Sequence, residues 1–378
     1  MDSKELGKLL KERDEPKFRL EQIKKAIFQD GVFSFAEIST ISKELREALD
    51  AEIKILSFVP KKVLAAQDGQ SIKALLKLQD GNLIETVLIS PKPGFWSACI
   101  SCQVGCAMGC RFCATGKMGF IRNLTAEEIT DQILFWKQYL RKYQIQNRKS
   151  QINPKSKIQN SKIGNCHRLG GVPTRRENLE IGNYDISNVV YMGMGEPFMN
   201  WPEVRQSLKD LTDPNLFGFG ARSISVSTSG IGEGIENFGK EFPQIKLAIS
   251  LHFASDEKRS KFMPVNKKYN LQKLKKALQK YFENSSRKFF IEYIMLEGIN
   301  DSRGDALELV SFLKSIGKPQ LLHINLIRYN TTSEDLRPSS GNATQKFKNY
   351  LLQNNINATI RKNLGSEIQG ACGQLAGK

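Results

Sequence analysis

Short runs of β-branched and apolar residues recur along the chain with helical stretches between them, at Ile186–Tyr191, Ser223–Thr228, Ile245–Leu251, Phe289–Met295 and Leu321–Ile327. Such alternation predicts βαβ units, because parallel neighbours need a crossover connection that a helix supplies. With the strand expected just before a cysteine-rich stretch at Cys99–Cys113, the strands number about six. The expected fold class is α/β, with an open or partial (β/α)6 barrel more natural than a flat sheet. Reactive residues then belong at strand carboxyl ends. Several distinctive segments fall there: the cysteine loop, Gly193-Met194-Gly195-Glu196-Pro197, Ser227-Thr228-Ser229-Gly230, Ser250-Leu251-His252 and Arg328-Tyr329-Asn330.

The barrel is expected over residues 96–378, behind two smaller regions. Residues 1–57 carry helical periodicity through Leu6, Leu9, Leu10, then Phe18, Leu20, Ile23, Ala26, Ile27, and later Ile41, Leu45 and Leu49, predicting a small amino-terminal helical domain. Residues 58–95 read as a β-hairpin extension, since two apolar runs between Ile72 and Ile89 flank Asp80-Gly81. The hairpin carries Glu85, which pattern alone assigns to an exposed strand face. Residues 141–183 read as a disordered basic insertion: Arg141 to Arg176 hold ten Lys or Arg, no Asp or Glu, and no helical or strand period. A tolerated loop expansion is favoured over a basic arm that gathers RNA.

Cys106, Cys110 and Cys113 are spaced C-x3-C-x2-C, so three thiols lie within eight residues. Three protein ligands on a four-iron cluster leave one iron open, and an open position marks a reactive metal site. Phe112, before the last cysteine, could shield it from water. A zinc knuckle is the alternative, although zinc ribbons usually need two cysteine pairs separated by a longer run than Cys99 and Cys102 provide. Seven cysteines, five of them clustered, argue for metal or redox chemistry in a reducing cytoplasm over a secreted disulfide framework. No run of eighteen apolar residues and no leader-like amino terminus is present, so neither membrane span nor export is predicted. A formal charge of +17 favours polyanionic partners, nucleic acid first.

The turn Gly193–Pro197 offers backbone amides and a carboxylate, suited to a ligand bearing an amine on the open iron. Ser227, Ser250, His252 and Asn330 could contact a nucleoside, although each alone is more often a turn or cap residue. His252 lacks a partner at metal-ligand spacing. Gly230, Gly232 and Gly234 imitate a dinucleotide-binding loop, but no acidic residue completes it and the cysteines would go unexplained. Near the carboxyl terminus, Gly370-Ala371-Cys372-Gly373 surrounds a thiol with small residues, leaving it sterically open as a covalent nucleophile requires, or else buried as a small hydrophobe. Cys99, outside the triplet, is free to act as its partner in thiol–disulfide exchange.

Together these motifs, with Met263-Pro264-Val265-Asn266 and Ala371-Cys372-Gly373-Gln374-Leu375, closely resemble the RlmN/Cfr family of radical S-adenosylmethionine (SAM) RNA adenine methyltransferases. The resemblance covers essentially the whole chain outside Arg141–Arg176. It implies that Cys106, Cys110 and Cys113 bind a [4Fe–4S] cluster whose open iron chelates SAM, held by Gly195, Glu196, Ser227, Ser250, Leu251, His252 and Asn330. It implies further that Cys372 is first methylated by one SAM. A second SAM is cleaved to a 5′-deoxyadenosyl radical, which removes a hydrogen atom from the sulfur-bound methyl group, and the resulting thiomethylene radical adds to adenine. Cys99 resolves the adduct through a transient disulfide, with Glu85 as base. The implied products are 2-methyladenine in 23S rRNA and in tRNA next to the anticodon, or 8-methyladenine at the ribosomal site; the helical amino terminus favours the 2-methyl, RlmN-like branch. A zinc-stabilised, non-catalytic RNA-binding protein is the alternative of another class. A low-potential electron donor such as flavodoxin or ferredoxin, a monomer and a cytoplasmic location complete the expectation. The sequence departs from the family pattern at Cys102, Leu364 and Gly370, where serine or threonine, arginine and alanine are usual.

Overall fold

A computed structural model describes residues 1, 3–92, 94–152 and 185–377. Helices α1 (Ser3–Glu12), α2 (Phe18–Lys24) and α3 (Lys43–Glu52) come first. Their apolar stripe, including Leu6, Ile23, Ile27, Leu45 and Leu49, is buried, and Ser42 caps α3 by accepting from the Leu45 amide at 3.2 Å.

Strands β1 (Phe58–Ala65), β2 (Ser71–Leu78), β3 (Leu83–Lys92) and β4 (Phe95–Cys99) follow as an antiparallel meander. The β2–β3 turn closes as the Asp80-Gly81 signal predicts: Gly81 takes φ +87°, and Asp80 accepts from the Asn82 amide at 3.0 Å. After β4 come β5 (Gln103–Gly105), α4 (Ala114–Lys117), β6 (Phe120–Asn123) and α5 (Ala126–Ile152). The remaining units are β7 (Ile186–Tyr191), α6 (Trp201–Thr212), β8 (Ile224–Thr228), α7 (Gly232–Glu241), β9 (Lys246–Ser250), α8 (Asp256–Phe262), α9 (Leu271–Asn284), β10 (Phe289–Met295), α10 (Arg303–Ile316), β11 (Leu322–Arg328), α11 (Gly341–Gln353) and β12 (Asn357–Ile360).

Ten strands form one mixed sheet, in the order β1-β2-β3-β4-β7-β8-β9-β10-β11-β12. From β4 onward every pairing in it is parallel. The α/β expectation therefore holds, as an open sheet whose edges are β1 and β12. Two strands exceed the sequence reading. Edge strand β1 carries Pro60, Lys61 and Lys62, devices that suit an unpaired edge and mask its strand character. Strand β12 is four residues long and half polar. The hairpin is continuous with the parallel strands through β4.

The register aligns strand ends. Cys99 closes β4 opposite Val190 of β7; Thr228 and Ser250 close β8 and β9; Glu292 of β10 pairs with Ser250 on one side and Asn325 on the other. One end of the sheet thus collects the polar residues, while Leu247, Ile249, Ile291 and Ile324 form core below them.

Disorder from residue 141 is not what the structure shows at the start of that segment. Helix α5 runs to Ile152, because Arg141 is bound: it reaches Glu37 Oε2 at 2.9 Å and the Gly31 carbonyl at 3.0 Å. Residues 153–183 of the expected insertion, Cys166 among them, lie outside the described residues. No described helix is long and apolar enough to cross a membrane.

Candidate active site

Between β4 and the β5–β6 pair the chain turns across the sheet end and enters the cysteine loop. Gly105 has φ +74°, and a Cβ there would stand 1.9 Å from the Gly119 carbonyl oxygen, so only glycine lets the two backbones meet. The same need recurs at Gly116, whose Cβ would stand 2.9 Å from the Cys110 amide. The loop is fixed to its surroundings by Arg111 N–H donating to the Phe262 carbonyl at 3.0 Å and Ala114 N–H donating to the Gly373 carbonyl at 2.7 Å. Phe112 packs edge-on against the His252 ring at 4.9 Å.

Cys106, Cys110 and Cys113 line one cleft together with Gly195, Glu196, Ser227, Ser250, His252 and Cys372. Burial pushes the Cys106 thiol up to about 12, and burial with help from Cys113 and Cys106 raises Cys110 well above its usual value. Thiols must lose their protons to bind metal, so loading such a site would release protons and relieve this cost. Among the described residues no three His, Cys, Asp or Glu side chains converge closely enough to hold one ion. Three thiols facing one cleft are the donor set that a four-iron cluster with one open iron would use.

The turn after β7 supplies another wall of the cleft through Met192, Gly193, Gly195 and Glu196. Gly195 has φ +105°, and a Cβ there would fall 2.6 Å from Gln103 Cβ. Glu196 is buried and accepts from the Ser229 amide at 2.7 Å and the Phe198 amide at 3.1 Å. Burial nevertheless raises its carboxyl above the usual range. The Ser227 and Ser250 hydroxyls stand 3.4 Å apart. His252 adopts φ +58° and accepts from the Ile294 amide through Nδ1 at 3.1 Å. Burial, then Arg259, drops the imidazole to about 3, so His252 is neutral with its proton on Nε2.

Four expected site residues stand elsewhere. Leu251 is fully buried and does not line the cleft. Asn330 donates to the Cys372 carbonyl at 3.2 Å, anchoring that residue's loop. Cys99 is buried behind the wall, its thiol pushed up to about 12 by burial and next by Cys372, with Arg361 pulling the other way. Glu85 is not on an exposed strand face: it is buried and paired with Lys73 at 2.8 Å, and accepts from the Ala376 amide at 2.8 Å.

The family model for the ribosomal RNA large subunit methyltransferase N-terminal domain matches residues 1–55. A protein of Clostridium botulinum (strain Okra / Type B1), ribosomal RNA large subunit methyltransferase Cfr, is 40% identical over 95% of this chain and 92% of its own length. The Bacillus velezensis protein of the same name is 37% identical over 98% of this chain and 95% of its own. The crystal structure of a radical SAM methyltransferase from Sphaerobacter thermophilus matches with TM-score 0.83 and 32% identity, covering 100% of this chain and 98% of that one. The chain belongs to the RlmN/Cfr family of radical SAM methyltransferases.

One cleft residue goes beyond what the family motifs indicated. Arg361, just after β12, lines the cleft and donates to Glu292 Oε2 at 3.3 Å. Burial disfavours its charge, but Cys372, Glu292 and Cys99 outweigh that and raise it. No sequence signal exposes it, because its strand went unrecognised. The disulfide that the resemblance implies between Cys99 and Cys372 is a transient one, and both thiols are free here. Cys372 is exposed, which selects the open state of the two that its small neighbours allow. Gly234, part of the apparent dinucleotide motif, serves packing instead, since a Cβ there would meet Phe198 at 2.5 Å.

Proposed function

We propose that this protein methylates carbon 2 of an adenine in large-subunit ribosomal RNA, and of an adenine next to the anticodon in tRNA, using Cys372 as methyl carrier. The observation that carries the reading is that Cys372 opens into the cleft lined by Cys106, Cys110 and Cys113. When bound there, a [4Fe–4S] cluster and SAM would supply the one-electron chemistry that an unactivated adenine carbon requires.

The chain's own residues have separable tasks. Cys106, Cys110 and Cys113 would hold the cluster; Glu196, Ser227 and Ser250 would hold SAM through its amine and ribose, with the Gly195 backbone close enough to approach it and neutral His252 and Leu251 shaping the site. Asn330 and Ala114 pin the Cys372 loop at the adjacent Cys372 and Gly373 carbonyls. Cys99 remains a protonated thiol until Cys372 has delivered its carbon, and Arg361, beside both, would stabilise the thiolate that attacks. Glu85 would serve as base once freed from Lys73 and Ala376. An excess of positive charge would position RNA phosphates, and unpaired loops allow the target base to leave the stack. A cytoplasmic monomer reduced by a flavodoxin or ferredoxin completes this reading.

The match of residues 1–55 to the RlmN-type amino-terminal model favours carbon 2. Carbon 8 is the second reading, favoured by the name Cfr on relatives that align over 92% or more of their length. Mass spectrometry of nucleosides from ribosomal RNA and tRNA, with and without the gene, decides: loss of 2-methyladenosine is expected, loss of 8-methyladenosine selects the second reading, and no change in either overturns both.

A further inference from the structure

Arg259 on α8 is fully buried, and all its hydrogen-bond acceptors are neutral. Nη2 donates to the Ser229 carbonyl at 2.5 Å, Nη1 to Asn266 Oδ1 at 2.8 Å and the Tyr269 carbonyl at 3.4 Å, and Nε to the Leu251 carbonyl at 3.3 Å. No carboxylate among the described residues pairs with it directly. Asp256 is reached only through Asn266, whose amide donates to Asp256 Oδ1 at 2.8 Å. A buried cation held directly by neutral acceptors alone is costly, and Asp256, acting through Asn266, offsets that only in part.

The cluster loop lies against the same helix. Arg111 N–H bonds Phe262, one turn beyond Arg259 on α8, and a Cβ at Gly109 would touch Pro264 at 3.7 Å, so Cys110 is flanked on both sides by contacts to this segment. A four-iron cluster on three thiolates is net negative and gains one more negative charge on one-electron reduction.

We propose that Arg259 is the buried counter-charge of the cluster and a positioning residue: it favours the reduced cluster while its guanidinium ties together the Ser229, Leu251 and Asn266 segments around the SAM site. This rests on the reading that Cys106, Cys110 and Cys113 hold the cluster. Net charge and hydrogen bonding near such clusters set their potentials, so removing the cation should move the midpoint to more negative values.

The test uses full-length protein reconstituted with iron and sulfide under anaerobic conditions, followed by redox titration and by urea unfolding of apo and reconstituted forms. Arg259→Gln is expected to bind iron, to have a more negative midpoint, and to gain less stability on reconstitution than the wild type does. Arg259→Lys keeps charge but loses the planar fork; it should retain a midpoint near wild type while its apoprotein unfolds at lower urea. A wild-type midpoint in the Gln variant, or in Lys a shift as negative as Gln is expected to show, overturns the counter-charge role; the Lys variant alone decides if Gln does not fold. Failure of the wild type to take up a cluster overturns both this proposal and the reading beneath it.

Discussion

Lys73 Nζ stands 2.8 Å from Glu85 Oε1 with both side chains almost wholly buried, and the pair holds the carboxyl-terminal tail at two points. Lys73 also donates to the Gln369 carbonyl at 3.3 Å, while Glu85 Oε2 accepts from the Ala376 amide. Cys372 lies between those attachments, so the hairpin fixes the span over which its thiol can move.

Replacing Lys73 with methionine leaves Glu85 as an unpaired buried carboxylate, at a cost of about 3–5 kcal/mol. Urea unfolding should show that loss, and limited proteolysis should cut the tail beyond Gln369 faster. Replacing both residues, Lys73→Met with Glu85→Gln, should recover part of the stability, because no charge is then stranded. Activity should not recover if Glu85 is the base.

The Cys99 and Cys372 thiols should react very differently. Cys372 is exposed and Cys99 is buried with its thiol pushed up to about 12. At pH 8 a small alkylating agent should label Cys372 rapidly and Cys99 slowly, with the Cys99 rate rising about tenfold per pH unit until its thiolate predominates. Arg361→Gln removes a cation that lowers the Cys99 value, and should displace that profile to higher pH. Mass spectrometry of tryptic peptides after timed labelling reads both effects.

His252 should make the protein acid-labile before its carboxylates protonate. Its imidazole sits at about 3 in the fold against 6.5 as a free side chain. A folded value below the unfolded one means that stability is full above pH 6.5 and is lost as pH falls from there toward 3. One proton contributes a slope of about 1.4 kcal/mol per pH unit. His252→Gln should flatten that part of a stability profile measured by urea unfolding between pH 7 and 4. An unchanged slope would show that other groups carry it.

The sheet end was legible in sequence because its strands are short apolar runs: Leu247-Ala248-Ile249 reads as a buried parallel strand, and Ser250-Leu251-His252 must then lie at its carboxyl end. Glu85 was misplaced because alternation assumes one wet face, whereas most of β3 is buried. Trp136 reaches Thr86 at 3.0 Å on one side, and the tail reaches Glu85 on the other. Arg259 was hidden for the opposite reason. It stands in Asp256-Glu257-Lys258-Arg259, a run that reads as solvated, and only the helix's docking onto the Ser229 and Leu251 loops turns this one charge inward. Arg361 depends on a strand whose Asn357 and Thr359 give no apolar signal.

Gly195 offers the sharpest test of the proposed SAM-binding wall. Its φ of +105° is outside the range L-residues favour, and an added Cβ would meet Gln103 Cβ at 2.6 Å and its backbone amide at 2.9 Å. Gln103 cannot yield freely, because it lies in β5, its Oε1 accepts from the Glu196 amide at 2.8 Å and its Nε2 donates to Asn123 at 2.8 Å. Gly195→Ala should therefore displace Glu196 from the cleft, while Cys106, Cys110 and Cys113 keep their own loop. The reconstituted variant should retain wild-type iron content but bind SAM at least tenfold more weakly by isothermal titration calorimetry, equivalent to about 1.4 kcal/mol. Equal SAM affinity would remove this turn from the binding site, and loss of iron would mean that the turn supports the cluster rather than its ligand.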